Sequence, residues 1–253
     1  VTTAAALEEI PDIREQTFTC NGSREYGVDK VTCEEAHGTL DLVTAMRRSC
    51  NCSFAAIADQ LGGETLQKYV ERYRLIEPLS FDGVKTAAGN FRAEGAAPVQ
   101  VAWSSIGQHK DQINPARFLE FLGAVANGGK GVEPHIVKKV TDGNKTTYTA
   151  KAVKAERIMP AEIAAEVQQM MRNNVENYYG DSNFPGLKVC AKTGTAEVGG
   201  DKAPNAMFAG FVMDEEYPLA FLVAVEEGGY GRQTCLPIAA KVLAVCKEMM
   251  DGQ

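Results

Sequence analysis

A lysine, two hydroxyls and a glycine follow an apolar stretch of the chain, in the tetrapeptide Lys192-Thr193-Gly194-Thr195. Because Gly194 lacks a Cβ, a substrate backbone could lie flat against a strand edge at this point. Lys192 would supply a positive charge, Thr193 and Thr195 could bind a substrate carboxylate, and the Thr195 N–H could donate to an oxyanion. The pattern predicts a substrate-binding strand, and it requires a second element that brings proton-transfer groups to the same cleft.

The candidate for that second element is the tripeptide Ser49-Cys50-Asn51. It directly precedes an amphipathic helix that we expect to begin near Ser53, so its side chains would project from a loop. Ser49 could pass a proton, and Asn51 could orient a substrate amide. An ordinary helix entry made of serine and asparagine is the alternative, and this tripeptide taken alone favours it.

Alternative roles for these two motifs fit the residues less well. A Walker-type phosphate loop needs a glycine directly before the lysine and a helix directly after it, whereas Ala191 precedes Lys192 and residues 196–200 do not resemble a helix start. For Lys-Thr-Gly taken alone, an ordinary strand end with polar residues remains an alternative interpretation, because so short a motif also occurs by chance. A metal site at Cys50 and Cys52 is disfavoured, because a single Cys-x-Cys lacks a second pair or a histidine at zinc spacing. We therefore expect neither a metal nor a cofactor.

The composition excludes several classes of protein. Hydrophobic content of 45% and charged content of 23% are ordinary for a globular protein. A net charge of -7 without a long Lys/Arg block argues against a nucleic-acid partner. No run of apolar residues is long enough to span a membrane, and there is no signal peptide. The chain opens at Val1 on a helix without an N-cap, so we expect a longer protein with any anchor upstream.

Seven cysteines are an odd number for a secreted disulfide framework. Cys20 and Cys33 have polar neighbours and lie close in sequence, so they could form a disulfide outside the cell. Cys190 and Cys246 lie within apolar patterns and are expected to be small core residues.

The elements that must position the motifs are mostly helical in the first two thirds of the chain. Residues 80–104 show little periodicity and are predicted to be loop, and the first 50 residues are loop-rich after the opening helix. Apolar spacing and capping residues predict helices over 1–9, from about 53 to a stop at Gly62-Gly63, over 64–75, from Asn114-Pro115 to about 126, and from Pro160 to about 175.

Strands dominate the last third of the chain. Residues 187–195, 207–213 and 219–225 are predicted strands, and short turns between the last two favour antiparallel pairing. A final helix over 236–249 has an apolar face that could cover this sheet. A small hairpin is predicted around Asp142-Gly143-Asn144. Helices followed by strands indicate an α+β protein rather than alternating βαβ units.

Taken together and in this order, Ser49-Cys50-Asn51 and Lys192-Thr193-Gly194 resemble two signature motifs of the penicillin-binding transpeptidase family. The stretches "FTCNG", "IGQHKDQINPARFLEFLGAVANGG" and "NAMFAGFV" resemble other signatures of that family. The resemblance extends over nearly the whole chain, which we treat as one transpeptidase domain, residues 1–253. It implies the penicillin-binding/serine β-lactamase fold, with an antiparallel sheet covered by helices beside a helical lobe.

The resemblance also implies the chemistry. A serine would attack a D-Ala-D-Ala stem peptide to form an acyl-enzyme, and the amine of a second stem would take the acyl group and cross-link peptidoglycan. β-Lactams would acylate the same serine. Wall-synthesis proteins are possible further partners, and the domain would work at the extracytoplasmic face of a bacterial membrane. By this resemblance Ser49, Asn51 and Lys192 are catalytic, and the substrate-binding residues are Thr193, Gly194 and Thr195.

One motif of the family is missing from these residues. No Ser-x-x-Lys occurs in the sequence, and in the family this motif opens the helix that Val1–Glu9 resembles. We therefore expect the nucleophile a few residues before Val1, and we expect this chain to be inactive alone. The family chemistry requires no histidine, so His37, His109 and His135 are expected to be structural or surface residues.

Two alternative functions remain open. The protein could bind wall peptides or β-lactams without chemistry, as a sensor or scaffold. It could also be a D,D-carboxypeptidase, because water and an amine differ only as acyl acceptors. A class A β-lactamase is disfavoured, because no Glu-x-x-Leu-Asn-like stretch lies between the two motifs.

Overall fold

The computed structural model describes residues 1–151 and 154–252. Its α-helices are α1 (Thr2–Glu9), α2 (Leu42–Arg47), α3 (Asn51–Arg72), α4 (Pro98–Ser105), α5 (Pro115–Ala126), α6 (Ala161–Asn174) and α7 (Gly231–Asp251). Its strands are β1 (Thr17–Cys20), β2 (Ser23–Tyr26), β3 (Asp29–Thr32), β4 (Gly38–Asp41), β5 (Ser80–Phe81), β6 (Val84–Lys85), β7 (Lys130–Val132), β8 (Lys139–Asp142), β9 (Lys145–Thr149), β10 (Lys154–Arg157), β11 (Val189–Ala196), β12 (Asn205–Val212) and β13 (Ala220–Val225).

The central sheet has the order β11-β12-β13, and both pairs are antiparallel, as the sequence predicts. Its residues alternate between two hydrophobic cores, because successive side chains of a strand point to opposite faces. Cys190 and Phe211 pack into the larger core, while Ala191 and Phe208 pack into the other. Neither face of the sheet is therefore left to solvent along its middle.

Helices cover both faces of this sheet. The apolar side of α7, which includes Leu236 and Leu243, packs against one face. Helices α5 and α6 pack against the other face, and α1 and α3 extend that core into a helical lobe. Helix α5 begins with Asn114 as its N-cap and Pro115 at its first position, as predicted. The fold is α+β, with the antiparallel sheet and helical lobe expected from the sequence.

The segment predicted as loop, residues 80–104, contains regular structure. Strands β5 and β6 form a short hairpin, and residues 98–105 form α4, which packs against α3. The predicted break at Gly62-Gly63 is confirmed, since Gly62 has a φ of 75° in the middle of α3. Gly63 packs so closely on the next segment that a Cβ there would clash with the Ala93 carbonyl oxygen.

The first 50 residues are more ordered than the loop-rich segment that the sequence predicts. Strands β1 and β4 pair, β2 and β3 form a hairpin, and short α2 leads into α3. The Cys20–Cys33 disulfide that the sequence leaves open is not formed: the two thiols are free and their sulfurs lie 3.6 Å apart. A disulfide requires about 2.05 Å. The expected burial of Cys190 is confirmed, whereas Cys246, also expected in the core, is only partly buried because its side of α7 faces solvent.

Within residues 1–151 and 154–252, no helix combines the length and apolar character needed to cross a membrane.

Candidate active site

Ser49 and Lys192, 143 residues apart in the sequence, are in direct contact. The Lys192 ammonium donates a hydrogen bond to Ser49 Oγ with a 2.5 Å separation of the two atoms. It donates a second hydrogen bond, of 2.9 Å, to the carbonyl oxygen of Thr193. The two motifs singled out from the sequence therefore meet at one site, where a proton can pass between an amine and a hydroxyl.

Ser49 occupies a strained turn between α2 and α3. Its φ is 50°, in the left-handed region that non-glycine residues rarely adopt. The turn is closed by two backbone hydrogen bonds, from Ser49 N–H to the Met46 carbonyl and from Cys50 N–H to the Ala45 carbonyl. Such a conformation costs about 1–2 kcal/mol and persists only where surrounding structure holds it.

Asn51 lies on the other side of this turn and its side chain is already bonded. Its amide Nδ2 donates to the Thr32 carbonyl oxygen at 2.7 Å, which ties the first residue of α3 to the end of β3. The side-chain oxygen of Asn51 has no hydrogen-bond partner among the described residues. It is therefore the part of Asn51 that could accept a hydrogen bond from a substrate amide.

Strand β11 is an edge strand, because within the described residues it pairs only with β12. The carbonyls of alternate residues point away from β12, as in any antiparallel ladder. Side chains bond to these carbonyls in turn: Arg172 to Val189, Asn174 to Ala191, Lys192 to Thr193 and Gln108 to Thr195. The Thr195 N–H belongs to the same set of outward groups, so it faces the side on which a ligand strand could pair.

Thr193 is held by Tyr179, a residue that the sequence does not single out. The Tyr179 hydroxyl lies 2.9 Å from Thr193 Oγ1 and accepts a hydrogen bond from the Thr193 N–H at 3.0 Å. Tyr179 is almost fully buried at the end of a π-helical turn, Val175–Tyr179, which follows α6. The Thr193 hydroxyl is therefore already oriented, whereas Thr195 is exposed and its hydroxyl faces solvent.

The environment of Lys192 lowers its basicity. Burial of the ammonium removes part of its water and lowers its pKa from 10.5 to about 8, while the neighbouring Tyr178 acts in the opposite direction. A lysine with a pKa near neutrality can exchange a proton with a partner far more readily than an ordinary surface lysine. Its position against Ser49 therefore suits it to proton transfer rather than to a purely structural ion pair.

Close packing accounts for glycine at two positions behind the site. A Cβ on Gly194 would lie 3.3 Å from the Cβ of Met207, its cross-strand partner on β12. A Cβ on Gly231, the first residue of α7, would clash with the Met207 carbonyl oxygen and lie 2.7 Å from that of Gly194. The start of α7 therefore rests directly on the strand that carries Lys192.

The structure thus brings Ser49 and Lys192 together and places Asn51 two residues beyond Ser49. The sequence motifs do not identify three supporting residues, namely Arg172, Asn174 and Tyr179. The sequence gives only a weak indication of their role, because each is a polar residue near the end of a helix and such residues are common. Of the expected structural histidines, His37 lies against Cys20, with its Nδ1 3.5 Å from the cysteine sulfur.

The sequence matches the family model described as the penicillin binding protein transpeptidase domain over residues 1–244. It is 26% identical to stage V sporulation protein D of Bacillus subtilis over 96% of this chain and 40% of the relative. It is 25% identical to the peptidoglycan D,D-transpeptidase PbpA of Mycolicibacterium smegmatis over 90% of this chain and 48% of the relative. The chain thus spans less than half the length of these relatives.

Solved structures share the fold. The chain superposes on penicillin-binding protein A from M. tuberculosis, in its ceftriaxone acyl-enzyme complex, with a TM-score of 0.86 at 23% identity, covering 97% of this chain and 58% of that one. The D,D-transpeptidase domain of a peptidoglycan glycosyltransferase from Eggerthella lenta gives 0.84 at 22% identity, covering 98% and 63%.

Proposed function

Because the chain belongs to the penicillin-binding protein transpeptidase family, we propose that it is part of a peptidoglycan D,D-transpeptidase that cross-links stem peptides through a serine acyl-enzyme. The observation that carries the proposal is the hydrogen bond between Lys192 and Ser49 beside the edge of β11 with which no strand of the described residues pairs. This arrangement places a proton relay next to a strand edge. An extended D-Ala-D-Ala peptide could pair there with the Thr195 N–H, by displacing the Lys192 and Gln108 side chains that bond to the outward carbonyls.

In this mechanism the residues of the chain bind the stem peptide and move protons. Lys192 and Ser49 carry the proton to the nitrogen of the leaving D-alanine, while Asn51 orients the substrate amide. Gly194 allows the substrate backbone to approach the strand, and the hydroxyls of Thr193 and Thr195 bind the terminal carboxylate. The Thr195 N–H donates to the oxyanion that forms when the carbonyl is attacked.

The nucleophile of this mechanism is placed outside the 253 residues. No Ser-x-x-Lys sequence occurs among them, and Ser49 is engaged by Lys192. We therefore expect the chain alone to be inactive. Loss of the nucleophile in another serine enzyme lowers kcat by about 10⁶-fold.

The proposed ligands and location follow from the same chemistry. Penicillin-binding protein A from M. tuberculosis has been solved as acyl-enzymes with ceftriaxone and imipenem, and we extend β-lactam binding to the complete protein here. Its substrates would be peptidoglycan stem peptides, and other wall-synthesis proteins are possible partners. Because peptidoglycan lies outside the cytoplasmic membrane, we place the domain on the extracytoplasmic face, with its anchor outside these residues.

Labelling with a fluorescent penicillin tests the proposal. A version of the protein extended upstream of Val1 should be labelled covalently, and the 253-residue chain should not. In the extended protein, Lys192→Met should slow labelling by about 10²–10⁴-fold, the usual contribution of a positioned acid or base. Lys188→Met is the matched control, because Lys188 is mostly exposed and pairs with Asp214 instead.

Two results would overturn the proposal. An extended protein that carries Ser-x-x-Lys and takes up no label would contradict the transpeptidase assignment, and covalent labelling of the 253-residue chain would contradict the placement of the nucleophile. The coding sequence upstream of Val1 tests the alternative of a binding domain without catalytic activity. A Ser-x-x-Lys encoded there would exclude that alternative. Product analysis with a stem peptide separates cross-linking from release of D-alanine by water.

A further inference from the structure

Four metal-ligating side chains meet beside the Ser49 turn. Cys20 ends β1, Cys33 follows β3, His37 precedes β4 and Cys50 is the N-cap of α3. We call these four residues the cysteine–histidine cluster. Their ligand atoms all lie within 4.8 Å of one another. Four separate points of the chain therefore converge on one small volume.

Three distances inside the cluster are close to those of a tetrahedral metal site. The sulfurs of Cys20 and Cys33 are 3.6 Å apart, those of Cys33 and Cys50 are 3.9 Å apart, and His37 Nδ1 is 3.5 Å from the Cys20 sulfur. Zinc bonds of about 2.3 Å to sulfur and about 2.0 Å to nitrogen place tetrahedral ligands about 3.5–3.8 Å from each other. These three distances are close to that geometry, and the other three pairs of ligand atoms, all within 4.8 Å, would close around the metal as it binds.

The surroundings of the histidine also fit a metal ligand. The His37 side chain is only 7% exposed, and its Nε2 lies 3.9 Å from a carboxylate oxygen of Glu35. Glu35 is in turn held by Arg48 at 2.7 Å. Zinc-bound histidines usually direct the second ring nitrogen to a carboxylate, which fixes the tautomer and the ring orientation. Here Nδ1 faces the cysteines, and Nε2 faces Glu35 across a gap that is longer than a hydrogen bond.

The part of the local fold that carries the cluster has only a small core of its own, although Phe18 and Val31 anchor β1 and β3 in neighbouring cores. Strands β1 to β4 have four residues each and form two separate two-stranded sheets. Sheets of this size are marginal without further support. The small core beneath them consists of Cys20, Cys50 and Cys52 with Leu40 and Ala45. A core in which most side chains are cysteines buries little apolar volume, so a metal would supply the missing cross-link.

We propose that Cys20, Cys33, His37 and Cys50 bind one Zn²⁺ ion as a structural site that fixes the turn carrying Ser49. Binding forms three Zn–S bonds and one Zn–N bond and releases the three thiol protons to solvent, without a change in oxidation state. Because Cys50 lies between Ser49 and Asn51, the metal fastens the backbone of the turn that presents Ser49 to Lys192. This consequence for catalysis rests on the proposed function, whereas the metal site itself does not.

The extracytoplasmic location proposed above would add a reason for the metal. In an oxidising compartment, neighbouring free thiols tend to form disulfides. A bound zinc ion keeps the sulfurs as thiolate ligands and holds them at the observed distances. A fourth sulfur nearby, that of Cys52, is 3.5 Å from the Cys33 sulfur but is not one of the four mutually close ligands, so we assign it to the packing beneath the site.

Metal analysis of the 253-residue chain, purified without a histidine tag, tests the proposal. Elemental analysis should find about one zinc per chain. Replacement by Co²⁺ should give the visible absorption of a tetrahedral thiolate complex. Cys33→Ser should lose the zinc, while Cys246→Ser on α7 should retain it. Absence of zinc and of the cobalt spectrum from the folded chain would overturn the proposal, as would a Cys20–Cys33 disulfide found by mass spectrometry.

Two further measurements remain decisive if Cys33→Ser fails to fold. A chelator added to the unmodified chain should speed thiol labelling of Cys20, Cys33 and Cys50, and unchanged labelling would contradict the site. Cys52→Ala should retain zinc. If Cys52→Ala lost zinc while Cys50→Ala retained it, the assignment of Cys50 as a ligand would be overturned.

Discussion

Replacing Lys192 with methionine should change how the stability of the chain depends on pH. Burial lowers the pKa of Lys192 from 10.5 to about 8. Between these two values the unfolded chain binds the proton more strongly than the folded chain, so the stability of the wild type rises with pH. The Lys192→Met variant lacks this titration. Each pKa unit corresponds to about 1.36 kcal/mol, so the wild type should gain about 3 kcal/mol relative to the variant.

The stability of the wild type relative to Lys192→Met should increase with pH, and not decrease. Below about pH 8 the wild type bears the full cost of a buried ammonium, and this cost disappears as the pH rises through the range from 8 to 10.5. Titrations of cysteines and tyrosines occur in both proteins and cancel in the difference. The hydrogen bonds from Lys192 to Ser49 and Thr193 affect the absolute stabilities of the two proteins, whereas the difference in pH dependence reports the pKa of Lys192.

Urea denaturation at several pH values between about 7 and 10.5 measures the difference in unfolding free energy. The mostly exposed Lys188 provides the matched control, and Lys188→Met should give a profile nearly parallel to that of the wild type. A constant difference between wild type and Lys192→Met over this range would show that the pKa of Lys192 is normal. That result would refute the argument that this lysine is tuned for proton transfer.

Three further substitutions test the structure around the site. Tyr179→Phe should destabilise the chain by about 1–3 kcal/mol in urea, because the Thr193 N–H and hydroxyl lose their partner; an unchanged midpoint would show that Tyr179 is dispensable. Gly231→Ala should cost about 1–3 kcal/mol through overpacking on Met207, whereas Gly252→Ala, with no atom nearer than 3.4 Å to its Cβ, should melt like the wild type. Asn114→Ala should cost about 2–3 kcal/mol, because it removes the α5 cap and three bonds to residues 77–87; circular dichroism melts that coincide with the wild type would contradict this.

Elements with a strong local signal were predicted correctly from the sequence. The apolar runs along β11 to β13 and the cap at Asn114-Pro115 are properties of the chain itself, so they need no knowledge of tertiary contacts. The same holds for the break at Gly62, where a positive φ is easy for glycine alone. The pairing of Ser49 with Lys192 was predicted from the resemblance, and the structure places the two side chains in contact.

Elements that depend on distant partners could not be predicted in this way. Helix α4 has only eight residues and is stabilised by packing on α3, so its own periodicity is too short to detect. Tyr179 reaches Thr193 only because a π-helical turn extends α6. The cysteine–histidine cluster was missed for a similar reason, because its members come from two small sheets and a helix cap instead of one Cys-x-x-Cys pair.

Two sets of contacts hold Ser49 in place, one on its side chain and one on its backbone, and they can be perturbed separately by experiment. Lys192 holds the hydroxyl from the side of the sheet, where Arg172, Asn174 and Tyr179 fasten β11 to α6 and the turn that follows it. On the other side, Asn51 and the cysteine–histidine cluster hold the backbone of a turn whose positive φ would otherwise relax. Loosening the cluster should therefore move Ser49 away from Lys192 and leave β11 in place. Because a hydrogen bond weakens steeply with distance and angle, even a small displacement of this turn would interrupt proton transfer without unfolding either half of the site.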